Sequence, residues 1–100
     1  MIKHIVMWRF KSEAEGKSKR ENMETVRDGL YALIPLISEI KKMEIGFDIS
    51  GTEASADLCL VTEFESTADL KIYAEHPKHL EVAGYVRKVT ETRTVLDYEF

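Results

Sequence analysis

The chain has 100 residues, of which 44% are hydrophobic and 32% charged, with a formal net charge of -4. These values are typical of one ordinary globular domain over residues 1–100. The basic residues are scattered and the net charge is negative, so the chain lacks the clustered basic surface that is typical of nucleic-acid-binding proteins. We therefore expect no nucleic-acid partner. No apolar run approaches the ~18 residues that span a bilayer, and the single cysteine, Cys59, excludes an intrachain disulfide. We therefore expect a cytoplasmic protein with no membrane partner.

The first predicted element is a strand over residues 2–10 with apolar side chains on both faces. One face carries Ile2, His4, Val6, Trp8 and Phe10. Ile5 and Met7 lie on the other face, between Lys3 and Arg9. A strand that is apolar on both sides is typical of the centre of a sheet that is covered from both sides.

A polar loop over residues 11–16 leads into the first predicted helix. Ser18 and Glu21, three residues apart, match a capping box, and apolar residues then follow at helical spacing up to Ile34. Pro35 disfavours helical geometry at Ile34, so we predict that the helix ends there.

Two more strands are predicted, over residues 40–47 and 56–65. The first has one polar face and flanking lysines, which suits an edge strand, and Gly46 within it suggests a β-bulge. The apolar residues of the second strand alternate between its faces: Leu58, Leu60 and Phe64 against Cys59 and Val61. This second strand therefore belongs near the centre of the sheet.

The second helical region is interrupted by a proline. Ser66 begins a short helix, with Asp69 at the third position of its first turn. Pro77 suits the first turn of a further helix that carries residues 79–90. We expect His76 to leave helical geometry before the proline and to cap this break.

The last predicted strand covers residues 93–100 and completes the order β-α-β-β-α-β. This is the ferredoxin-like arrangement of the α+β class, a four-stranded antiparallel sheet with the helices on one face. The opposite face then carries an apolar patch of Ile5, Met7, Cys59, Val61 and Val95. Such a patch exceeds what a monomer normally leaves in water, so we predict a homodimer that packs sheet against sheet.

Several short segments of the chain are similar to those of one protein family. They are Lys3-His4-Ile5-Val6, Asp57-Leu58, Glu63-Phe64-Glu65-Ser66, Tyr73 with His76-Pro77-Lys78-His79, and Val95-Leu96-Asp97-Tyr98. Together they span nearly the whole chain, which resembles the stress-responsive α/β-barrel (Dabb) family. The resemblance implies a ferredoxin-like subunit, a dimeric α+β barrel built from two sheets, and a small pocket between helices and sheet.

The resemblance also implies candidate site residues. In the plant branch of the family that contains olivetolic acid cyclase, a tyrosine and a histidine close a linear polyketide by aldol condensation. Their positions match Tyr73 and His79 of this chain. A pocket histidine on the first strand of that branch matches His4. Most bacterial members of the family have no assigned activity.

A metal site is not predicted. Some members of the family bind magnesium through main-chain carbonyls after the first helix, at positions that match Tyr31, Ile34 and Ile37. Side chains do not encode a site of this kind, although backbone oxygens suit a hard cation. His76 and His79 are three residues apart, with no third ligand at a recognisable spacing. We expect neither a metal nor another cofactor.

The candidate residues suit proton transfer next to a carbonyl group. The ordinary pKa of a histidine is about 6.5, and burial of His79 among apolar residues would favour its neutral, basic form. Tyr73 is a hydrogen-bond donor at neutral pH and can orient a carbonyl. The structural alternative stays open: both side chains can fill a core and bond to each other or to the backbone.

Two functions follow from this reading of the sequence. We predict a homodimeric stress-responsive α/β-barrel protein with a small apolar pocket for an aromatic or carbonyl-bearing small molecule. The pocket would be lined by Val6, Trp8, Val82 and Ala83. The alternative is a polyketide-cyclase-like enzyme, an aldol-type cyclase or lyase, with His79 as base, Tyr73 as donor and His4 in support.

Overall fold

The alternation at the N-terminus forms one of the two central strands of the sheet. The computed structural model describes the whole chain from Met1 to Phe100, and β1 spans Ile2–Phe10. Val6 and Phe10 on its inner face are almost fully buried, whereas Met7 on its outer face is 41% exposed. The alternating pattern of the sequence therefore distinguishes a covered face from an open one.

A small hairpin occupies the segment that the sequence predicts to be a polar loop. Strands β2 (Glu13–Ala14) and β3 (Lys17–Ser18) pair around Glu15 and Gly16. The φ angles of these two residues are 53° and 72°, and two consecutive positive values are typical of a type I′ turn. Strands of two residues are too short to produce a periodic signal, so the sequence pattern does not reveal them.

Helix α1 spans Lys19–Tyr31 and begins with the predicted capping box. The Glu21 N–H donates to Ser18 Oγ at 3.2 Å, and the Ser18 N–H donates to the Glu21 carboxylate at 3.1 Å. The predicted end at Ile34 is three residues too late. Ile34 N–H instead donates to the Tyr31 carbonyl at 3.2 Å, because the chain tightens into i→i+3 turns before Pro35.

The four long strands form an antiparallel sheet in the order β4-β5-β1-β6. Their bounds are Lys42–Phe47 for β4, Leu58–Phe64 for β5 and Thr90–Glu99 for β6. The predicted central positions of β1 and β5 and the edge position of β4 are confirmed. The last strand begins three residues earlier than predicted, directly after the preceding helix.

The bulge of the sheet lies in the last strand and not at Gly46. Gly46 pairs with Cys59 in an unbroken register, so the prediction of a bulge there is wrong. The register shifts between Arg9 and Phe10 of β1, which pair with Thr92 and Thr90, and Glu91 is the extra residue opposite them. A bulge of this kind changes the face on which every later side chain of the strand lies.

The prediction that Val95 belongs to the open face of the sheet is also wrong. Val95 pairs with the buried Val6, and Asp97 pairs with His4, so both lie on the side of the helices. Leu96 pairs with Ile5 and takes the open face instead. Both faces of this strand carry apolar residues. The alternation therefore shows which residues share a face, but it does not show which face points inward.

The predicted break between the helices is present. Helix α2 spans Thr67–Glu75, with Ser66 Oγ accepting from the Asp69 N–H at 3.1 Å, and helix α3 spans Pro77–Val89. His76 between them is extended at φ -63° and ψ 133°. Its Nδ1 accepts from the Lys78 N–H at 3.1 Å, which confirms the predicted capping role.

The core fills the space between the inner face of the sheet and the helices. A buried Asn22 connects three elements: it donates to the Ala14 carbonyl at 3.0 Å and accepts from the Tyr85 hydroxyl at 2.5 Å. These bonds hold the hairpin and α3 against α1. None of the three helices combines the length and the apolar content that crossing a bilayer requires.

Candidate functional site

A cavity of about 650 Å³ lies between the inner face of the sheet and the helices α2 and α3. Its walls are mostly apolar, and its polar groups come from strands β1 and β6, from the junction of the two helices and from the last turn of α3. The lining residues are His4, Val6, Trp8, Leu30, Leu60, Tyr73, Ala74, His79, Leu80, Val82, Ala83, Val86, Arg87, Thr90, Glu91, Thr92 and Arg93. All seven residues named from the sequence as catalytic or pocket-lining are in this set.

The break between α2 and α3 brings Tyr73 and His79 together. Because His76 is extended and Pro77 begins the next helix, the last turn of α2 and the first turn of α3 meet at an angle. The ring centroids of Tyr73 and His79 are 4.4 Å apart, with an interplanar angle of 49°. His4, on β1, approaches the other side of Tyr73, with centroids 6.3 Å apart. Three polar rings therefore converge at one end of the cavity.

The hydrogen bond of His79 fixes which of its nitrogens is free. Nδ1 lies 3.0 Å from the Ala74 carbonyl, and a carbonyl oxygen only accepts, so Nδ1 is the donor. In the neutral ring, Nε2 then keeps its lone pair. Burial lowers the pKa of His79 below its ordinary value, and the Ala74 hydrogen bond opposes that effect. The side chain is therefore neutral and basic at pH 7.

The hydroxyl of Tyr73 is buried without a hydrogen-bond partner. The residue is 1% exposed, and no protein group lies within bonding distance of its hydroxyl oxygen. Burial raises the pKa of Tyr73 to about 12, with a smaller opposing effect from the positive charge of Arg93. The group is therefore protonated at neutral pH and is a donor without a partner, in a residue that lines the cavity.

Two further polar groups complete the wall. His4 Nδ1 donates to Asp97 Oδ1 at 2.5 Å, a bond that fixes the orientation of a ring that is only 8% exposed. Trp8 Nε1, like the Tyr73 hydroxyl, is buried without a partner. Two residues that line the cavity thus carry unpaired donors, and unpaired buried donors are rare in proteins.

Asp97 and Arg93 are functional candidates that sequence reasoning did not identify. Both lie on β6, and both face the cavity side of the sheet because they pair with His4 and Trp8. Carboxylate and guanidinium side chains of an alternating strand normally point to solvent. The residue types of Asp97 and Arg93 therefore do not indicate that they face the cavity. Their placement follows from the register of β6 on β1, which the bulge at Glu91 sets.

Of the main-chain positions that match the magnesium site, Tyr31 is the last residue of α1, and Ile34 and Ile37 lie in the turns that follow; none of them lines the cavity. The carbonyls of Tyr31 and Ile37 accept turn hydrogen bonds from Ile34 and Ile40, both at 3.2 Å. The chain contains no group of three His, Cys, Asp or Glu side chains with metal-binding geometry.

Comparison with known proteins identifies the family. The model of the "Stress responsive A/B Barrel Domain" matches residues 2–100. A dimeric protein of unknown function with a ferredoxin-like fold from Bacteroides fragilis is 31% identical, with a TM-score of 0.88, and the match covers 99% of this chain and 95% of that one. No curated protein matches the chain.

Two further solved structures share the fold at lower identity. A dimeric ferredoxin-like protein of unknown function from Thermobifida fusca is 20% identical, with a TM-score of 0.84 over 99% of this chain and 90% of that one. A hydroxynitrile lyase from Passiflora edulis is 24% identical, with a TM-score of 0.82 over 97% and 90% of the two chains. These matches confirm the predicted ferredoxin-like α+β fold. The chain belongs to the stress-responsive A/B barrel domain (Dabb) family.

Proposed function

We propose that the cavity binds an aromatic or carbonyl-bearing small molecule. The observation that carries this proposal is the buried hydroxyl of Tyr73, which has no partner and belongs to a residue that lines the cavity. An unpaired buried hydroxyl costs ~1–3 kcal/mol. A ligand carbonyl that accepts from Tyr73 would recover this free energy, whereas a hydrocarbon would not.

The apolar walls support a ring as the body of the ligand. Val6, Trp8, Val82 and Ala83 line the cavity and offer it no charge. An apolar cavity of about 150 Å³ already accepts benzene. The present cavity is several times larger, so it has room for a substituted aromatic ring.

We propose further that the protein acts as a homodimer joined through the open face of its sheet. Met7 and Leu96 on that face are 41% and 58% exposed in the isolated chain, beside the half-buried Ile5 and Val61. The relatives from Bacteroides fragilis and Thermobifida fusca are dimers. Covering an apolar face of this kind is the main favourable contribution to association.

Calorimetric titration with acetophenone and ethylbenzene tests the ligand proposal, because the two differ mainly in the carbonyl group. We expect the wild type to bind the ketone about fivefold more tightly, the value for one neutral hydrogen bond. Tyr73→Phe should bind both equally and remain at least as stable as wild type, since it loses only an unpaired hydroxyl. Equal binding by the wild type, or a preference retained in Tyr73→Phe, would contradict the proposal.

A second candidate function is catalysis on an enolisable carbonyl compound, as in a cyclase or lyase. The observation that favours it is the position of His79, whose Nδ1 is held by Ala74 while Nε2 stays free and basic beside Tyr73. Nε2 would take a proton from the carbon next to the carbonyl. The electron pair of that C–H bond would form the enolate, whose oxygen accepts from Tyr73.

The enolate can then react in two ways. It can attack a second carbonyl carbon, in which case the new alkoxide takes the proton back from His79 and a ring closes without oxidation or reduction. It can also recover the proton at carbon. One member of the fold, the enzyme from Passiflora edulis, is a lyase.

Deuterium exchange measures the first step without knowledge of the natural substrate. Phenylacetone in D2O should exchange its benzylic protons faster with the wild type than in buffer, as followed by NMR. His79→Ala should return the rate to that of buffer with nearly unchanged melting temperature and dimerisation. If His79→Ala exchanges like wild type, or if its only effect is to destabilise the fold, His79 is structural and the enzyme hypothesis fails.

A further inference from the structure

Arg93 is a cation at the rim of the cavity without an ionic partner. It lies directly opposite Trp8 on the neighbouring strand, on the face of the sheet that the helices cover. It lines the cavity, and no carboxylate lies within 4.0 Å of its guanidinium. Seven of the other thirteen Lys and Arg side chains form an ion pair, whereas the charge of Arg93 is free to pair with a ligand.

Arg93 is the cross-strand partner of Trp8, whose indole nitrogen is unpaired. Residues directly opposite in antiparallel strands have Cβ atoms roughly 5 Å apart. Trp8 is 5% exposed, and its Nε1 has no protein acceptor. A guanidinium next to a neutral N–H donor is an arrangement that suits the two oxygens of a carboxylate.

The other charged residues at the rim do not neutralise Arg93. Glu91, at the bulge of β6, lines the cavity but forms no ion pair with Arg93. The guanidinium of Arg87 lies against Gly84 on its own helix. The positive charge of Arg93 acts on both reactive rings, since it opposes the burial effect on the pKa of Tyr73 and adds to it for His79.

We infer that the ligand of this cavity is an oxo acid, a small compound that carries both a carbonyl and a carboxylate. Arg93 and Trp8 Nε1 hold the carboxylate at the rim, and the Tyr73 hydroxyl holds the carbonyl deeper inside. This inference rests on the proposed carbonyl-binding function and specifies its class of ligand. The charge of Arg93 then also stabilises an enolate formed next to Tyr73.

Three probes separate the two parts of the inference: 4-acetylbenzoate, acetophenone and 4-ethylbenzoate, titrated calorimetrically at low salt. We expect 4-acetylbenzoate to bind about fivefold more tightly than acetophenone, as one exposed ion pair provides. Arg93→Gln should remove this advantage, Trp8→Phe should reduce it, and Glu91→Gln should increase it. Arg20→Gln, on the surface of α1, is the matched control for loss of one positive charge.

Added salt provides an independent readout. The advantage of 4-acetylbenzoate should fall between 20 and 500 mM NaCl in the wild type and stay flat in Arg93→Gln, because salt screens the pair. If acetophenone and 4-acetylbenzoate bind equally and Arg93→Gln changes nothing, the oxo-acid inference is overturned while carbonyl binding stands. If 4-ethylbenzoate binds as tightly as 4-acetylbenzoate, the carbonyl subsite fails, and with it the proposed function.

Discussion

Burial acts in opposite directions on Tyr73 and His79, because the two side chains gain charge by opposite proton movements. Desolvation disfavours the charged form of each, so it raises the pKa of the phenol to about 12 and lowers the pKa of the imidazole. Both groups are neutral at pH 7, one as donor and one as acceptor. Burial thus leaves a neutral hydrogen-bond donor and a neutral base side by side.

The lowered pKa of His79 makes the stability of the fold depend on pH. In the unfolded chain the imidazole has an ordinary pKa of about 6.5, so below that pH the unfolded state binds more protons than the folded state. Above pH 6.5, His79 is neutral in both states and does not lower the free energy of unfolding. As the pH falls from 6.5 through the lowered pKa of the folded state, the free energy of unfolding decreases. We expect the urea midpoint of the wild type to decrease between pH 7 and pH 5.

His79→Asn is the matched variant for that measurement, because its amide can still donate to the Ala74 carbonyl but does not titrate. The urea midpoint of this variant should change less over the same range. A variant whose midpoint falls as steeply as that of the wild type would show that other groups cause the dependence.

The bond between His4 and Asp97 is expected to stabilise the fold as well as orient the ring. Asp97→Ala leaves a nitrogen of the buried His4 unpaired, which should cost ~1 kcal/mol in urea unfolding. Asp97→Asn keeps an acceptor and should cost less. The control is Glu99→Ala, on the same strand, whose side chain forms no hydrogen bond or ion pair. An equal loss of stability in all three variants would refute the stabilising role of the bond between His4 and Asp97.

At the scale of elements, two local devices position the site. The extended His76 before Pro77 turns α3 away from α2, so that Tyr73 and His79 face each other. The extra residue Glu91 sets the register of β6. If Glu91 instead paired with Arg9 in an unbroken register, Arg93 would pair with Met7 and lie on the open face, because a shift of one residue exchanges the two faces.

The capping box of α1 is expected to contribute measurably to stability. Ser18→Ala removes the side chain that accepts from the first turn of the helix, and such a loss costs ~1 kcal/mol. Thermal or urea unfolding measures the effect. Ser50→Ala, in the exposed loop after β4, is the control and should be neutral. If the two variants unfold alike, the cap does not stabilise α1.

At the scale of the whole molecule, the sheet has one face under its own helices and one face open. The open face carries Ile5, Met7, Cys59, Val61, Leu96 and Tyr98. Burial raises the pKa of the Cys59 thiol even in the isolated chain, so the residue behaves as a small apolar group and not as a nucleophile. A second copy of the chain is the partner that we propose for this face.

Met7→Asp and Val61→Asp test the dimer through this face. A carboxylate there cannot be buried without a partner charge, so each variant should elute as a monomer or aggregate in size-exclusion chromatography with light scattering. Ile72→Asp replaces a residue of α2 that is 47% exposed and should leave the assembly unchanged. Soluble dimers of both sheet-face variants would exclude the sheet-to-sheet arrangement.

The sequence by itself determined the order of the four long strands and the helices, the capping residues and seven of the side chains that line the cavity. These features depend on local rules: the periods of helix and strand, the backbone limits of proline and the bonds of Ser18 and His76. Tyr73, His79 and His4 were identified as candidates because the family resemblance implies them, and their places in apolar patterns agree with a position inside the fold.

Only the tertiary structure decided the faces of β6, the roles available to Asp97 and Arg93, and the free donors of Tyr73 and Trp8. His4 and Asp97 bond across 93 positions of the chain, and no local pattern specifies such a contact. Their meeting depends on the register of two strands and on one extra residue at Glu91. Whether a buried group is paired, and how its pKa shifts, likewise depends on neighbours from every element that packs around it.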